Sequence, residues 1–134
     1  MTQYLKNSFK ALAGDKFVNI AYREWGAADN PKVAICVHGL SRNSKDFDDL
    51  AAALSTDWRV LAVDMPGRGG SDWLDDKSAY AYPLYENVCV AMLARTGATN
   101  VAWIGTSMGG NIGMRLASRL GTPISKLVLN DIGP

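Results

Sequence analysis

Ser107 lies at the centre of Gly105-Thr106-Ser107-Met108-Gly109, a G-x-S-x-G sequence that follows the apolar run Val101–Ile104 and opens a helical pattern. A serine hydroxyl becomes a usable nucleophile when a sharp strand-to-helix turn thrusts it out of the backbone. Neighbouring side chains would clash in so tight a turn, and glycine stands two residues before and two after Ser107. The pattern alone also describes an ordinary Gly/Ser turn. The β-branched and aromatic residues before it and the helical pattern after it give it chemical meaning. Serine attack needs a general base, usually histidine, and a carboxylate that orients the base. The sequence contains one histidine, His38, and it does not lie where the base belongs.

The residues around Ser107 read as alternating strands and helices. Phe17–Arg23 alternates inward and outward like a half-exposed edge strand, preceded by a Gly14-Asp15 turn. Val33–Val37 is a continuous apolar run, as a fully buried strand is, and Arg59–Val63, apolar after Arg59, reads as the next buried strand. Between them, Ser44 is placed to cap a helix with an apolar stripe of Phe47, Leu50, Ala51 and Leu54. Pro83 suits a first helical position, and Leu84, Val88, Ala91 and Met92 continue one face to about Arg95. After Ser107 a helix carries Ile112, Leu116 and Leu120 and stops at Gly121 and Pro123; Lys126–Asn130 is a last strand. This order predicts an α/β fold, a mostly parallel sheet covered by helices on both faces.

Composition narrows the function classes. A chain of 134 residues is one domain by length, and no apolar run approaches the eighteen or so residues that span a bilayer. A net charge of +1 with mixed signs argues against nucleic acid or an anionic membrane surface as partner. Cys36 and Cys89 lie far apart in apolar runs, which reads as buried free thiols. Neither cysteine builds a zinc site with His38, and Asp48-Asp49 and Asp75-Asp76 read as solvated pairs, so no metal or cofactor is expected. Met1–Lys6 lacks an apolar signal core, which reads as a cytoplasmic protein.

Four motifs, in order and spacing, resemble the α/β-hydrolase fold family. They are His38-Gly39-Leu40 after a buried strand, Asp64-Met65-Pro66-Gly67-Arg68-Gly69-Gly70-Ser71 after the next, the elbow around Ser107, and Asn130-Asp131-Ile132-Gly133-Pro134. The resemblance implies that Ser107 is the nucleophile and that the backbone N–H groups of Leu40 and Met108 form the oxyanion hole. In that family the histidine of the H-G-x segment shapes the oxyanion loop, and the base arrives from nearer the C-terminus. Asp131 stands where some relatives carry the triad acid, although a carboxylate there also serves to shape the loop by local hydrogen bonds. The Asp64–Ser71 loop reads as structural.

The likeness covers the N-terminal half of the family's domain, so the fold is expected to break off after the strand that follows the elbow helix. The remaining strands, the cap and the catalytic histidine would then lie outside this chain. An apolar strand edge left without its neighbour recruits another strand. A second polypeptide completing the sheet, or a copy of this chain, is therefore an expected partner. The implied activity is a serine hydrolase acting on a small-molecule acyl substrate: a carboxylic ester, thioester, lactone or activated C–C bond. The alternative is a non-catalytic binding or interaction module that keeps the half-fold without the chemistry. A nucleotide-binding domain fits poorly, because Ser107 occupies the place of the second glycine of G-x-G-x-x-G and no G-K-[S/T] follows.

Overall fold

The computed structural model describes residues 3–132. Among them a six-stranded sheet runs β1 (Leu5–Ala13), β2 (Lys16–Trp25), β4 (Arg59–Val63), β3 (Val33–Val37), β5 (Val101–Thr106) and β6 (Ile124–Asn130) from edge to edge. The pairs β4–β3, β3–β5 and β5–β6 are parallel, whereas β1–β2 and β2–β4 are antiparallel. The mostly parallel α/β sheet expected from the apolar runs is therefore present.

Alternation along the central strands divides the core in two. Ile35, Val37, Leu61, Val63 and Trp103 pack under α2 (Tyr82–Thr96) and α3 (Met108–Ala117). Ala34, Cys36, Val60 and Ala62 point the other way, onto Phe47 and Ala51 of the 3-10 turn Ser44–Phe47 and α1 (Asp48–Leu54). Among the described residues helices thus cover both faces, two on one and one on the other. Both cysteines are buried free thiols. Burial pushes the Cys36 thiol up to about 12, which leaves no thiolate for chemistry at neutral pH.

Several local expectations are corrected. β2 is not an edge, because β1 pairs along its whole length, from Leu5 opposite Glu24 to Ala13 opposite Lys16. β1 hid in the sequence since only Phe9 and Ala11 of its residues are buried, while Lys6 and Lys10 are exposed, as suits an outer strand. The helix cap near residue 44 is Asn43, whose Oδ1 accepts the Lys45 N–H at 2.9 Å, and Leu50 is exposed. α3 ends at Ala117, so Leu120 is in the following turn and fully exposed. Gly133 and Pro134, which complete the Asn130–Pro134 motif, lie outside the described residues, as do Met1 and Thr2 of the N-terminal segment.

At the opposite edge, β6 pairs only with β5 among the described residues, and Val128 and Leu129 are exposed. A groove of about 510 Å³ runs between this strand and α1, lined by Phe47, Leu50, Ile104 and Val128. No helix among the described residues is long and apolar enough to cross a membrane.

Packing beneath α3 hangs on Trp103. Its buried indole donates Nε1–H to the Gly109 carbonyl at 3.0 Å and lies flush against Gly113, where a Cβ would overlap the ring. Gly113→Ala is expected to lower stability by about 1–3 kcal/mol through overpacking. A urea midpoint that falls at unchanged slope is the measurement that checks this.

Candidate active site

The turn from β5 into α3 places Ser107 at φ 51°, ψ −113°, a left-handed backbone that side chains rarely adopt. Such a residue costs about 1–3 kcal/mol and persists only where its surroundings over-determine it. Here they do. The Ser107 N–H donates to the Asn130 carbonyl at 3.0 Å, and the Ser107 carbonyl accepts the Gly110 and Asn111 N–H groups at 2.9 and 3.1 Å. Ser107 itself is exposed, whereas Met108, Gly109 and Gly110 behind it are buried.

Both flanking glycines are sterically required. A Cβ on Gly105 would meet the Gly109–Gly110 backbone, and one on Gly109 would fall onto the Val37 carbonyl. That second contact presses α3 against the end of β3 and brings the β3 exit loop to the serine. A Cβ on Gly39 would stand 3.5 Å from the Ser107 Cβ. Leu40 follows directly, and Met108 is the first residue of α3, where the first-turn N–H groups have no intrahelical acceptor. Among the described residues neither the Leu40 nor the Met108 N–H has a backbone acceptor.

His38 is buried and both its ring nitrogens are engaged. Nε2 accepts the Met65 N–H at 2.9 Å, which fixes the proton on Nδ1, and Nδ1–H donates to the Gly39 carbonyl at 2.7 Å. Burial lowers its pKa below the ordinary value of 6.5. The ring therefore bolts the Gly39–Leu40 loop to the β4 exit and has no lone pair to take a proton from Ser107.

Asp64 secures the same region from the other side. Its Oδ1 accepts the Ser44 N–H at 2.8 Å, its Oδ2 accepts the Gly70 N–H at 3.1 Å, and its carbonyl accepts Ser71 Oγ–H at 2.6 Å. Gly69, at φ +52°, lies against that carboxylate with no room for a Cβ. Asp131, at φ 54°, directly follows Asn130, the residue whose carbonyl holds Ser107. Its carboxylate is exposed and makes no ion pair within 4 Å to a described cation, so it is not tied into the loop that way. Among the described residues no group of three or more His, Cys, Asp or Glu could hold a metal.

Arg68 is the residue that sequence reasoning missed. Its Nε–H donates to the Leu40 carbonyl at 2.9 Å, across a separation of 28 residues. In the sequence it sits inside a glycine-rich turn, and no local spacing signals so distant a partner.

Residues 32–134 match the sequence model of the α/β hydrolase fold. A 3-hydroxybutyrate-oligomer hydrolase of Cupriavidus necator is 50% identical over 115 residues, which are 86% of this chain and 39% of that protein. A serine hydrolase-like protein of Danio rerio is 33% identical over 107 residues, 80% of this chain and 32% of its own. The crystal structure of an alpha/beta hydrolase from Novosphingobium aromaticivorans, 38% identical, superposes on 100% of this chain and 46% of its own with a TM-score of 0.87. The chain thus spans less than half the length of each of these relatives.

The His38 bolt carries a pH signature. Below pH 6.5 the imidazole of the unfolded chain takes up a proton while the folded ring stays neutral, so the unfolded state binds more protons and stability falls with falling pH. His38→Ala is expected to lose about 3 kcal/mol, since the Met65 N–H and Gly39 carbonyl are left buried without partners. It should also lose this part of the acid sensitivity. Urea unfolding of both proteins between about pH 7.5 and about pH 5 tests both effects.

Proposed function

The chain belongs to the α/β-hydrolase family, and from that premise we propose that it carries the nucleophile half of a serine hydrolase. The reading is carried by one observation: exposed Ser107 stands at φ 51° on the turn into α3, beside the acceptor-free N–H groups of Leu40 and Met108. Ser107 Oγ attacks the acyl carbon of an ester, its proton passes to a base, and the carbonyl oxygen becomes an oxyanion. The Leu40 and Met108 N–H groups hold that oxyanion, the second with the help of the α3 N-terminal dipole. Loss of one such donor costs on the order of 3 kcal/mol in barrier. The ester C–O bond then breaks, the base returns its proton to the leaving alkoxide, and water cleaves the acyl-enzyme to the acid and free Ser107.

His38 is spoken for, so the base is a histidine outside the described residues, oriented by Asp131 or by another carboxylate. The part of the fold that carries it, on the same polypeptide or on another, seats against the β6 edge and the groove beside α1; a second copy of residues 1–134 would bring only another His38. The half-identity to the Cupriavidus protein favours esters of short hydroxy acids over thioesters, lactones or C–C substrates.

A fluorophosphonate probe tests the reading, with native mass measured on the same sample. Ser107 is expected to label, located by peptide mass, and Ser107→Ala to label not at all. Turnover of a short-chain p-nitrophenyl ester should fall about 10⁶-fold in that variant. A folded sample whose native mass includes the missing strands, and which still neither labels nor turns over ester, would instead make the protein a binding module that keeps the fold without the chemistry.

A further inference from the structure

Beyond the elbow, the β4 exit and the segment leading into α2 flank an open cleft of about 400 Å³. That is within the range of small-molecule pockets. Its walls include Leu40, Arg68, Trp73, Lys77, Tyr80 and Tyr85. Leu40 is the shared partition, since the preceding Gly39 packs against Ser107. The cleft and the proposed nucleophile thus share the Gly39–Leu40 loop.

The charge in the cavity has one sign. Arg68 spends Nε on the Leu40 carbonyl and Nη1 on the Pro66 carbonyl and the Tyr85 hydroxyl, at 2.9, 2.8 and 3.0 Å. Its Nη2 is left without a partner among the described residues. The guanidinium lies 5.4 Å from the centre of the Tyr85 ring and 5.7 Å from that of Tyr80, so it is held in place by packing as well as by hydrogen bonds. Lys77 forms no ion pair among the described residues, whereas Lys16, Arg23, Arg42, Arg59, Arg115 and Arg119 each have one. Among the described residues no carboxylate lines the cavity. The four acids adjacent in sequence to its walls are otherwise occupied: Asp72 accepts the Asn19 N–H, Asp75 pairs with Lys16, Asp76 accepts from the Ser78 N–H and hydroxyl, and Glu86 pairs with Arg115 and Arg119. At the mouth stands Trp73, 76% exposed, an indole with no covering group. Two unpaired cations among aromatic rings form a receptor for an anion on a short apolar stem.

We propose that this cavity is the subsite for a free carboxylate at the far end of the ester substrate, gripped by Arg68 Nη2 and Lys77 with its stem against Tyr80, Tyr85 and Trp73. The proposal rests on the ester-hydrolase reading, and it narrows the substrate class to acidic esters, half-esters of dicarboxylic acids and linear oligomers of hydroxy acids. Because Arg68 also holds the Leu40 carbonyl, binding of a carboxylate there bears directly on the loop that carries the proposed oxyanion donor. Arg68 is for that reason a positioning residue as well, and Lys77 is the cleaner position to vary.

Calorimetric binding of monomethyl adipate and its uncharged isostere dimethyl adipate to the whole chain, with hydrolysis of both followed in parallel, decides the matter. The half-ester is expected to bind about tenfold more tightly, with the preference shrinking as salt is raised. Lys77→Glu should abolish or invert the preference, and Lys77→Arg should retain it. Equal binding of the two esters, or a preference untouched by Lys77→Glu, would overturn the subsite. Ser107→Ala separates the two readings, because it should abolish hydrolysis and keep the binding preference. In a sample whose native mass includes the missing strands, a carboxylate preference with no Ser107-dependent turnover would sink the hydrolase reading and leave the cavity as an anion site.

Discussion

Much of this molecule depends on the near-contact of two backbones, Gly109 at the start of α3 and Val37 at the end of β3. A parallel sheet ordinarily keeps its helices a side chain's width away. Here the first turn of α3 has no side chain facing the strand, and the helix drops onto the Val37 carbonyl. The consequences spread in both directions. The chain must turn from β5 into α3 within one residue, which forces Ser107 into the left-handed region and leaves it exposed. The same approach carries Gly39 to the serine, so that nucleophile and loop meet without either reaching out. Trp103 fills the space below, its indole against Gly113 and its N–H on the Gly109 carbonyl. Steric strain at one residue is thus offset by a close-packed aromatic floor and three backbone hydrogen bonds around the turn.

The loops above this floor are held by buried polar groups rather than by regular structure. His38 links the exits of β3 and β4, and Asp64 links the β4 exit to the start of the 3-10 turn before α1. Ser71 extends the set to β2 by accepting the Ala21 N–H at 2.8 Å. Each bond satisfies a backbone group that burial would otherwise leave without a partner, and such groups are expensive to orphan. No buried side-chain nitrogen or oxygen among the described residues lacks a partner. Neutrality of His38 follows from the same logic, because a protonated ring would turn a second N–H against the Met65 N–H.

The two edges of the sheet contrast. β1 closes one side with a short inward face and lysines outward. β6 offers the other side as an open row of backbone groups flanked by Val128 and Leu129, next to the apolar groove below α1. The proposed nucleophile sits beside that open side, since the Asn130 carbonyl at the end of β6 holds the Ser107 N–H. Whatever seats on β6 therefore touches the strand that positions the serine, which gives a physical reason for chemistry and sheet completion to be linked.

Much of the architecture was legible in the sequence because its signals are local. The runs 33–37 and 60–63 are buried on both faces and so apolar throughout, and the observed strands match them, with Arg59 added at the start of the second. Pro83 sits in the first turn of α2, and the glycines around Ser107 announce a turn that tolerates no Cβ beside it. Signals diluted by exposure were lost or misplaced. β1 buries too little to show a period, Leu50 and Leu120 are apolar yet exposed, and the cap fell on Asn43 because two adjacent polar residues compete for that position. The order of strands and helices and the serine elbow could be read from the residues alone, since periodicity and turn sterics act within a few residues. The locking of His38 on both nitrogens, the reach of Arg68 to Leu40, and the shared cleft of Arg68 and Lys77 came only with the folded arrangement. Those relations join residues far apart in the chain, and they exist only once the sheet has brought its loops to one edge.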